Sequence, residues 1–199
     1  MVIEAATLYQ QAGDTWIETY SGGRFCMNAP TFIRADIAHA LSFNCRYNGH
    51  CRSYYSVAEH SVLVAELVRL KGGTVLQQLE GLLHDGTEAY LSDVPAPFKQ
   101  FLPDWKDVDT KLDAEFRIYA GLPAHKDPLV KHCDWVALFI EVQDLLLGKG
   151  KDWLDPVNAR EEALEIRAKH GIRAYSWAPA FARDTFLFKW DELDAARSV

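Results

Sequence analysis

The chain has 199 residues, 49% of them hydrophobic and 25% charged, a balance that suits one domain with a substantial core and excludes a disordered chain. The formal net charge is −7 and no Lys/Arg cluster interrupts it, which argues against a duplex nucleic-acid face; an anionic substrate would need a metal or a few placed cations. No apolar run approaches the roughly 18–20 residues of a membrane span, so no membrane partner is expected.

The start, Met1-Val2-Ile3-Glu4-Ala5, lacks the basic stretch and apolar region of a signal peptide. Cys26, Cys45, Cys51 and Cys133 form no C-x-x-C pair and read as free thiols in a reducing cytoplasm. In chain order, residues 14–27 predict a hairpin: Trp16, Ile17, Thr19 and Tyr20 favour strand, Ser21-Gly22-Gly23 turns, and Arg24-Phe25-Cys26-Met27 returns. Asp36 is placed to cap a short helix carrying Ile37, Ala38 and Leu41. Residues 44–55, polar and aromatic around Gly49, read as a loop. Ser56 to Leu70 predicts a helix with little polar face, hence a central buried one, stopped by Lys71-Gly72-Gly73. A second helix starts near Thr74. Pro95, Pro97 and Pro103 make 92–103 largely irregular. A third helix begins at Asp104, with Val108, Leu112, Phe116 and Tyr119 at helical spacing. A fourth runs from Asp127-Pro128 to Leu147. For a fifth, Asp155 is the expected N-cap, Pro156 the first position, and Gly171 lies past the end. The aromatic tail (Trp177, Phe181, Phe186, Phe188, Trp190) is expected to pack on the bundle. Residues 1–199 are expected to form a single domain with its core at about 30–150.

His84-Asp85 closes an apolar helix in Leu83-His84-Asp85-Gly86-Thr87-Glu88. Adjacent helical residues point about 100° apart, so the pair can chelate one ion only where the backbone helps, and further ligands must converge. His60 sits in the most apolar helix and Asp134 among apolar residues of the fourth; a lone charge there is expensive unless paired or metal-bound. Together, His60, His84, Asp85 and Asp134 make a two-nitrogen, two-oxygen set with room for water. Glu88, four residues after His84, projects from the same face if the helix continues and is placed for proton transfer. His39, His125, His132 and His170 show no partner pattern, and Trp135 reads as core.

These residues resemble the HD-domain metal phosphohydrolases, whose signature is His … His-Asp … Asp. Ser56-Val57-Ala58-Glu59-His60-Ser61, Leu83 to Glu88, Asp93-Val94-Pro95-Ala96-Pro97-Phe98-Lys99 and Lys131-His132-Cys133-Asp134 are similar to segments of the 5′-deoxynucleotidase branch. Asp36 to His60, with Cys45-Arg46-Tyr47-Asn48-Gly49-His50, resembles compact bacterial and phage members, some of which hydrolyse deoxynucleoside triphosphates such as dATP. The resemblance implies an all-α HD-type helical bundle with a small N-terminal hairpin. It implies one divalent ion per chain (Mn, Co, Mg, Zn, Ni or Fe) on His60, His84, Asp85 and Asp134. It makes Glu88 the acid/base group, Asp93 the contact to the sugar 3′-hydroxyl, and Arg46, with Lys99 and His50 as weaker candidates, the phosphate contacts. The expected reaction is hydrolysis of a deoxynucleotide, either 5′-monophosphate to nucleoside and phosphate or triphosphate to nucleoside and triphosphate. A homo-oligomer in the cytoplasm, the host's for a phage protein, is expected. Two other readings stand beside it: a di-iron HD-type oxygenase, for which His125 and His132 lie in the right interval, and a non-catalytic nucleotide-binding protein.

Overall fold

The computed structural model describes residues 15–197. Strands β1 (Trp16–Glu18) and β2 (Arg24–Cys26) pair antiparallel, Ile17 opposite Phe25. The rest is helical: α1 (Arg34–Phe43), α2 (Val57–Leu70), α3 (Val75–Leu83), the one-turn α4 (Glu88–Leu91) and α5 (Ala96–Lys99), α6 (Trp105–Ala120), α7 (Pro128–Leu145), α8 (Ala159–His170) and α9 (Pro179–Arg197). The molecule is therefore mostly helical with one small hairpin, as its patterning predicts. No described helix is long and apolar enough to cross a membrane.

Side chains start the central helices by satisfying amides that have no partner within the helix. Ser56 accepts from the Glu59 amide, and Thr74 with Gln77 closes a full capping box. Asp127 accepts from the Leu129 amide, with Pro128 in the first turn of α7. Two expected caps differ. Asp36 does not cap α1, which begins two residues earlier after Ile33. Its buried carboxylate instead accepts from the Ser21 amide (2.7 Å) and Ser21 Oγ (2.9 Å), because the hairpin turn brings two donors to it. Helix α8 begins at Ala159 after a left-handed Asn158 (φ 56°), so Pro156 lies outside it. Asp155 still accepts from the amides of Ala159 (2.8 Å) and Arg160 (3.0 Å), capping from one turn further back.

Helix α2 is the axis of the fold. One side packs with α1, α3 and α9 around Ile37, Leu41, Leu82, Phe116, Phe186 and Trp190; the other packs with α7, itself backed by α8, around Val64, Val68, Val136, Phe139 and Ile140. At the α2–α3 contact a Cβ on Gly81 would lie 3.3 Å from Ala65 Cα, so glycine permits the close approach. The aromatic tail forms a helix that buries Ala182, Phe186, Trp190 and Leu193, one face at spacings of four, four and three, and leaves Phe181 and Phe188 exposed. Each large side chain so buried contributes roughly 1.5–3 kcal/mol. Just before α9, the amides of Tyr175, Ser176 and Trp177 all donate to the Glu59 carboxylate at 2.7–3.0 Å. That fastens the lead-in of α9 to the first turn of α2, one residue from His60.

Candidate metal centre

Three helix segments converge where the two halves of the core meet. His60 stands in the first turn of α2, Asp134 in the second turn of α7, and His84 is the C-cap of α3. After His84 the chain leaves the helix in a tight turn, with the Gly86 amide donating to Leu83 O (2.9 Å) and the Glu88 amide to Asp85 O (3.0 Å). A Cβ on Gly86 would run into the Phe116 ring, so this turn requires glycine. The turn lets His84 and Asp85, adjacent in sequence, face the same point.

The donor atoms of these residues stand close enough together that they could hold one metal ion. His60 Nε2 lies 3.3 Å from His84 Nε2 and 3.2 Å from Asp134 Oδ1, and His84 Nε2 lies 3.7 Å from Asp134 Oδ1. The ligand atoms of these three residues all fall within 4.8 Å of one another. Asp85 is outside that tight group, but its Oδ2 lies 3.2 Å from His84 Nε2 and 3.6 Å from His60 Nε2. Ligands about 2.1 Å from an ion stand about 3.0 Å apart at right angles and about 3.4 Å apart at tetrahedral angles. The observed separations fit.

Both imidazoles are turned by their other nitrogen. His60 Nδ1 is 2.5 Å from Glu141 Oε1, and His84 Nδ1 donates to Gly81 O at 2.8 Å. A proton on each Nδ1 leaves both Nε2 lone pairs facing the common point, the arrangement by which a second set of contacts orients metal-binding histidines. Burial alone would lower the His84 pKa, but Asp85 and Asp134 override it and hold it well above its ordinary value. Burial opposes charge on Asp85 and Asp134 as well, yet the two histidines hold both carboxyls below the usual carboxylate range.

Arg46 reaches the cluster from the 44–55 loop through an unusual turn in which Tyr47 (φ 58°), Asn48 (φ 50°) and Gly49 (φ 76°) are all left-handed. Its Nε donates to Glu141 Oε2 (3.2 Å) and one terminal nitrogen lies 3.7 Å from Asp85 Oδ2. Glu88 begins α4, its Oε2 buried and without a hydrogen bond among the described residues. Burial, then the charges of Asp85 and Asp93, push its pKa well above the ordinary value. Asp93 is half-buried; burial and Asp85 raise its pKa against the pull of Arg46 and Lys99. Lys99 is near enough to act electrostatically on Glu88 and Asp93, and its Nζ lies 5.8 Å above the Trp105 ring. The structure does not bring His50 into the site. It is exposed beyond the left-handed turn, and its side chain has no hydrogen bond among the described residues. His132 is bonded to Glu162 (2.7 Å) and His125 is exposed, so neither joins the cluster.

Glu141 was not among the expected site residues. It is fully buried and meets four polar groups, His60 Nδ1 and Tyr55 OH (3.2 Å) on Oε1, Arg46 Nε and Tyr47 OH (2.6 Å) on Oε2. Burial would raise its pKa, but Arg46 and His60 keep it below the ordinary value. The signal was available: a carboxylate in Phe139-Ile140-Glu141-Val142, two helical turns beyond Asp134.

No family model matches the chain. It is 37% identical over 186 residues to YfdR of Escherichia coli K12, described as uncharacterized, with 92% of this chain and 98% of YfdR covered. It is 33% identical over 181 residues to an uncharacterized protein of Rhodobacter capsulatus, with 80% of this chain and 90% of that protein covered.

Proposed function

The chain belongs to the family of Escherichia coli YfdR, and from the chemistry of its site we propose that it is an HD-type, metal-dependent hydrolase of deoxynucleotide phosphates. The observation that carries this reading is the pair of histidines whose Nδ1 atoms are tied to Glu141 and Gly81 while their Nε2 atoms face Asp134 and Asp85. A buried cluster of two imidazoles and two carboxylates has the donor set of a borderline divalent ion such as Mn, Fe, Co, Ni or Zn. His60, His84, Asp134 and Asp85 would hold it. When bound, such an ion supplies Lewis acidity and lowers the pKa of water.

The remaining residues have roles the chemistry needs. Arg46 keeps Nε on Glu141, and its remaining N–H groups bind the non-bridging oxygens of a phosphate. Glu88 holds a proton in its buried carboxyl and delivers it to the leaving oxygen. Asp93 accepts a hydrogen bond from a sugar hydroxyl, and Lys99 adds positive potential beside it. Monophosphate and triphosphate substrates demand the same set of groups.

The test is a panel of deoxynucleoside mono- and triphosphates, each with Mn, Co or Mg, with products separated into phosphate and triphosphate. Release of either product, abolished by Asp85→Ala, is the expected result. No release from any nucleotide, or unchanged turnover in Asp85→Ala, overturns the reading.

A further inference from the structure

Two thiols outside the metal-binding cluster stand together on the turn that carries Arg46. Cys45 Sγ lies 4.0 Å from Cys51 Sγ, and Cys51 Sγ lies 3.9 Å from the Arg46 carbonyl oxygen. Both are partly exposed, so a small reagent reaches them. Between them run the left-handed Tyr47, Asn48 and Gly49, a costly conformation for a residue as bulky as tyrosine. The flanks are anchored. Cys45 forms an antiparallel bridge with Ser56, the Arg46 amide donates to Tyr55 O (2.9 Å), and the Arg52 amide donates to Leu145 O (2.9 Å). The chain therefore loops out and back between fixed ends, and the two cysteines form the neck of that loop. A disulfide needs the sulfurs to approach by about 2 Å. Side-chain rotation and the exposed tip Asn48-Gly49-His50 can supply that movement while Arg46 stays on Glu141.

We propose that Cys45 and Cys51 are a redox-responsive dithiol, which a low-molecular-weight disulfide converts to an intramolecular disulfide that staples the neck of the turn holding Arg46 and Tyr47. One cysteine thiolate attacks a sulfur of the reagent, forms a mixed disulfide and expels a small thiolate. The second cysteine thiolate attacks the protein-bound sulfur of that mixed disulfide and expels the other. The two protein thiols lose two protons and two electrons, and the reagent is reduced to two thiols. Burial and the neighbouring Cys45 push the Cys51 thiol up, so the reaction is run at mildly alkaline pH.

The experiment uses the folded, full-length protein incubated with oxidised glutathione, quenched by alkylation, and read by intact mass, peptide mapping and amide hydrogen exchange. The expected product has lost two hydrogen masses and joins the tryptic peptides ending at Arg46 and Arg52. Exchange at residues 47–51 slows at least about tenfold as the neck closes. Cys45→Ser and Cys51→Ser each stop at a glutathione adduct on the remaining partner. Wild-type protein that halts as a mixed disulfide overturns the proposal. So does a link to Cys26, to Cys133 or to a second chain, or unchanged exchange at the turn. None of these readouts requires a nucleotide or a metal, so their failure is separate from failure of the hydrolase reading.

Discussion

Replacing Glu141 with glutamine separates the two jobs of this carboxylate with almost no change of shape. The amide keeps one oxygen, which can still serve His60, but then turns an NH2 group toward Arg46 Nε, donor against donor, while Tyr47 OH must switch from donating to accepting. Arg46 is 8% exposed and loses its buried counter-charge. Removing one partner of a buried ion pair costs about 3–5 kcal/mol. Asp85, 3.7 Å from the guanidinium, remains, which places the cost near the lower end, about 3 kcal/mol. For a protein of this size that lowers Tm by about 6–12 °C. Losing a group that orients a metal-binding histidine weakens metal affinity about 10–100-fold. Since glutamine retains the acceptor for His60, about tenfold, or about 1.4 kcal/mol, is expected. The assays are thermal denaturation of the metal-free variant and calorimetric titration with Mn. A Tm within about 2 °C of wild type, together with metal affinity within about twofold, would refute the assignment of Glu141 as the group that orients both sides of the site.

Three further outcomes follow from the same geometry. Glu88→Gln removes the buried carboxyl proton and leaves the ion-binding atoms untouched, so kcat falls by about 10²–10⁴ while metal affinity is unchanged; equal losses in both would assign Glu88 to metal binding instead. A divalent ion at 100 times its Kd stabilises by about 2.7 kcal/mol, so a chelator lowers Tm by about 5–11 °C. In the chelated protein the raised pKa of His84 contributes stability that is complete below about pH 6.5 and is lost as pH rises through the folded value. Its Tm therefore declines above neutrality, and a bound ion removes that decline; a flat Tm–pH profile in the chelated protein would contradict the ion pairing. Gly86→Ala drives a methyl into the Phe116 ring beside His84-Asp85. It costs about 1–3 kcal/mol and weakens metal binding in the same titration, whereas a neutral alanine would mean that the turn relaxes freely.

The sequence carried the helices well and the contacts between them poorly. Apolar spacing located α2, α3 and α7 with starts near Ser56, Thr74 and Asp127, which the structure shows to be their caps, and the chemical oddity of charges in apolar helices singled out His60 and Asp134. The same criterion applies to Glu141, but its partners come from Arg46, Tyr47, Tyr55 and His60, up to 95 positions away. No local pattern records that distance. Asp36 and Asp155 show the limit from the other side: both are acidic residues near helix starts. Yet one serves the hairpin turn and the other caps from outside the helix, because the donors within reach decide what a carboxylate does. Asn48-Gly49 favours a left-handed backbone, but nothing local extends it to Tyr47; tertiary bonds from Tyr47 OH and Arg46 hold that residue in place. His50, carried by the resemblance alone, is exposed beyond this turn.

The charge balance of the cluster explains how a buried polar centre can fold before it meets an ion. Asp85, Asp134 and Glu141 are ionised, and leaving them uncompensated in a desolvated place would be expensive. Arg46 answers Glu141 directly. Against the cost of burial, Glu141 and Asp134 raise the pKa of His60, and Asp85 and Asp134 that of His84; burial and the charges of Asp85 and Asp93 raise that of Glu88, so each of the three is biased toward keeping a proton. Protons thus occupy electrostatically the place a divalent cation would take. An ion entering this site must displace protons from His60 and His84, so binding releases protons and tightens as pH rises. Under the proposed function, a chain of net charge −7 would receive a phosphate where a bound cation, Arg46 and Lys99 together reverse the local potential. On that reading, metal loading and anion affinity would be tied to one small group of side chains.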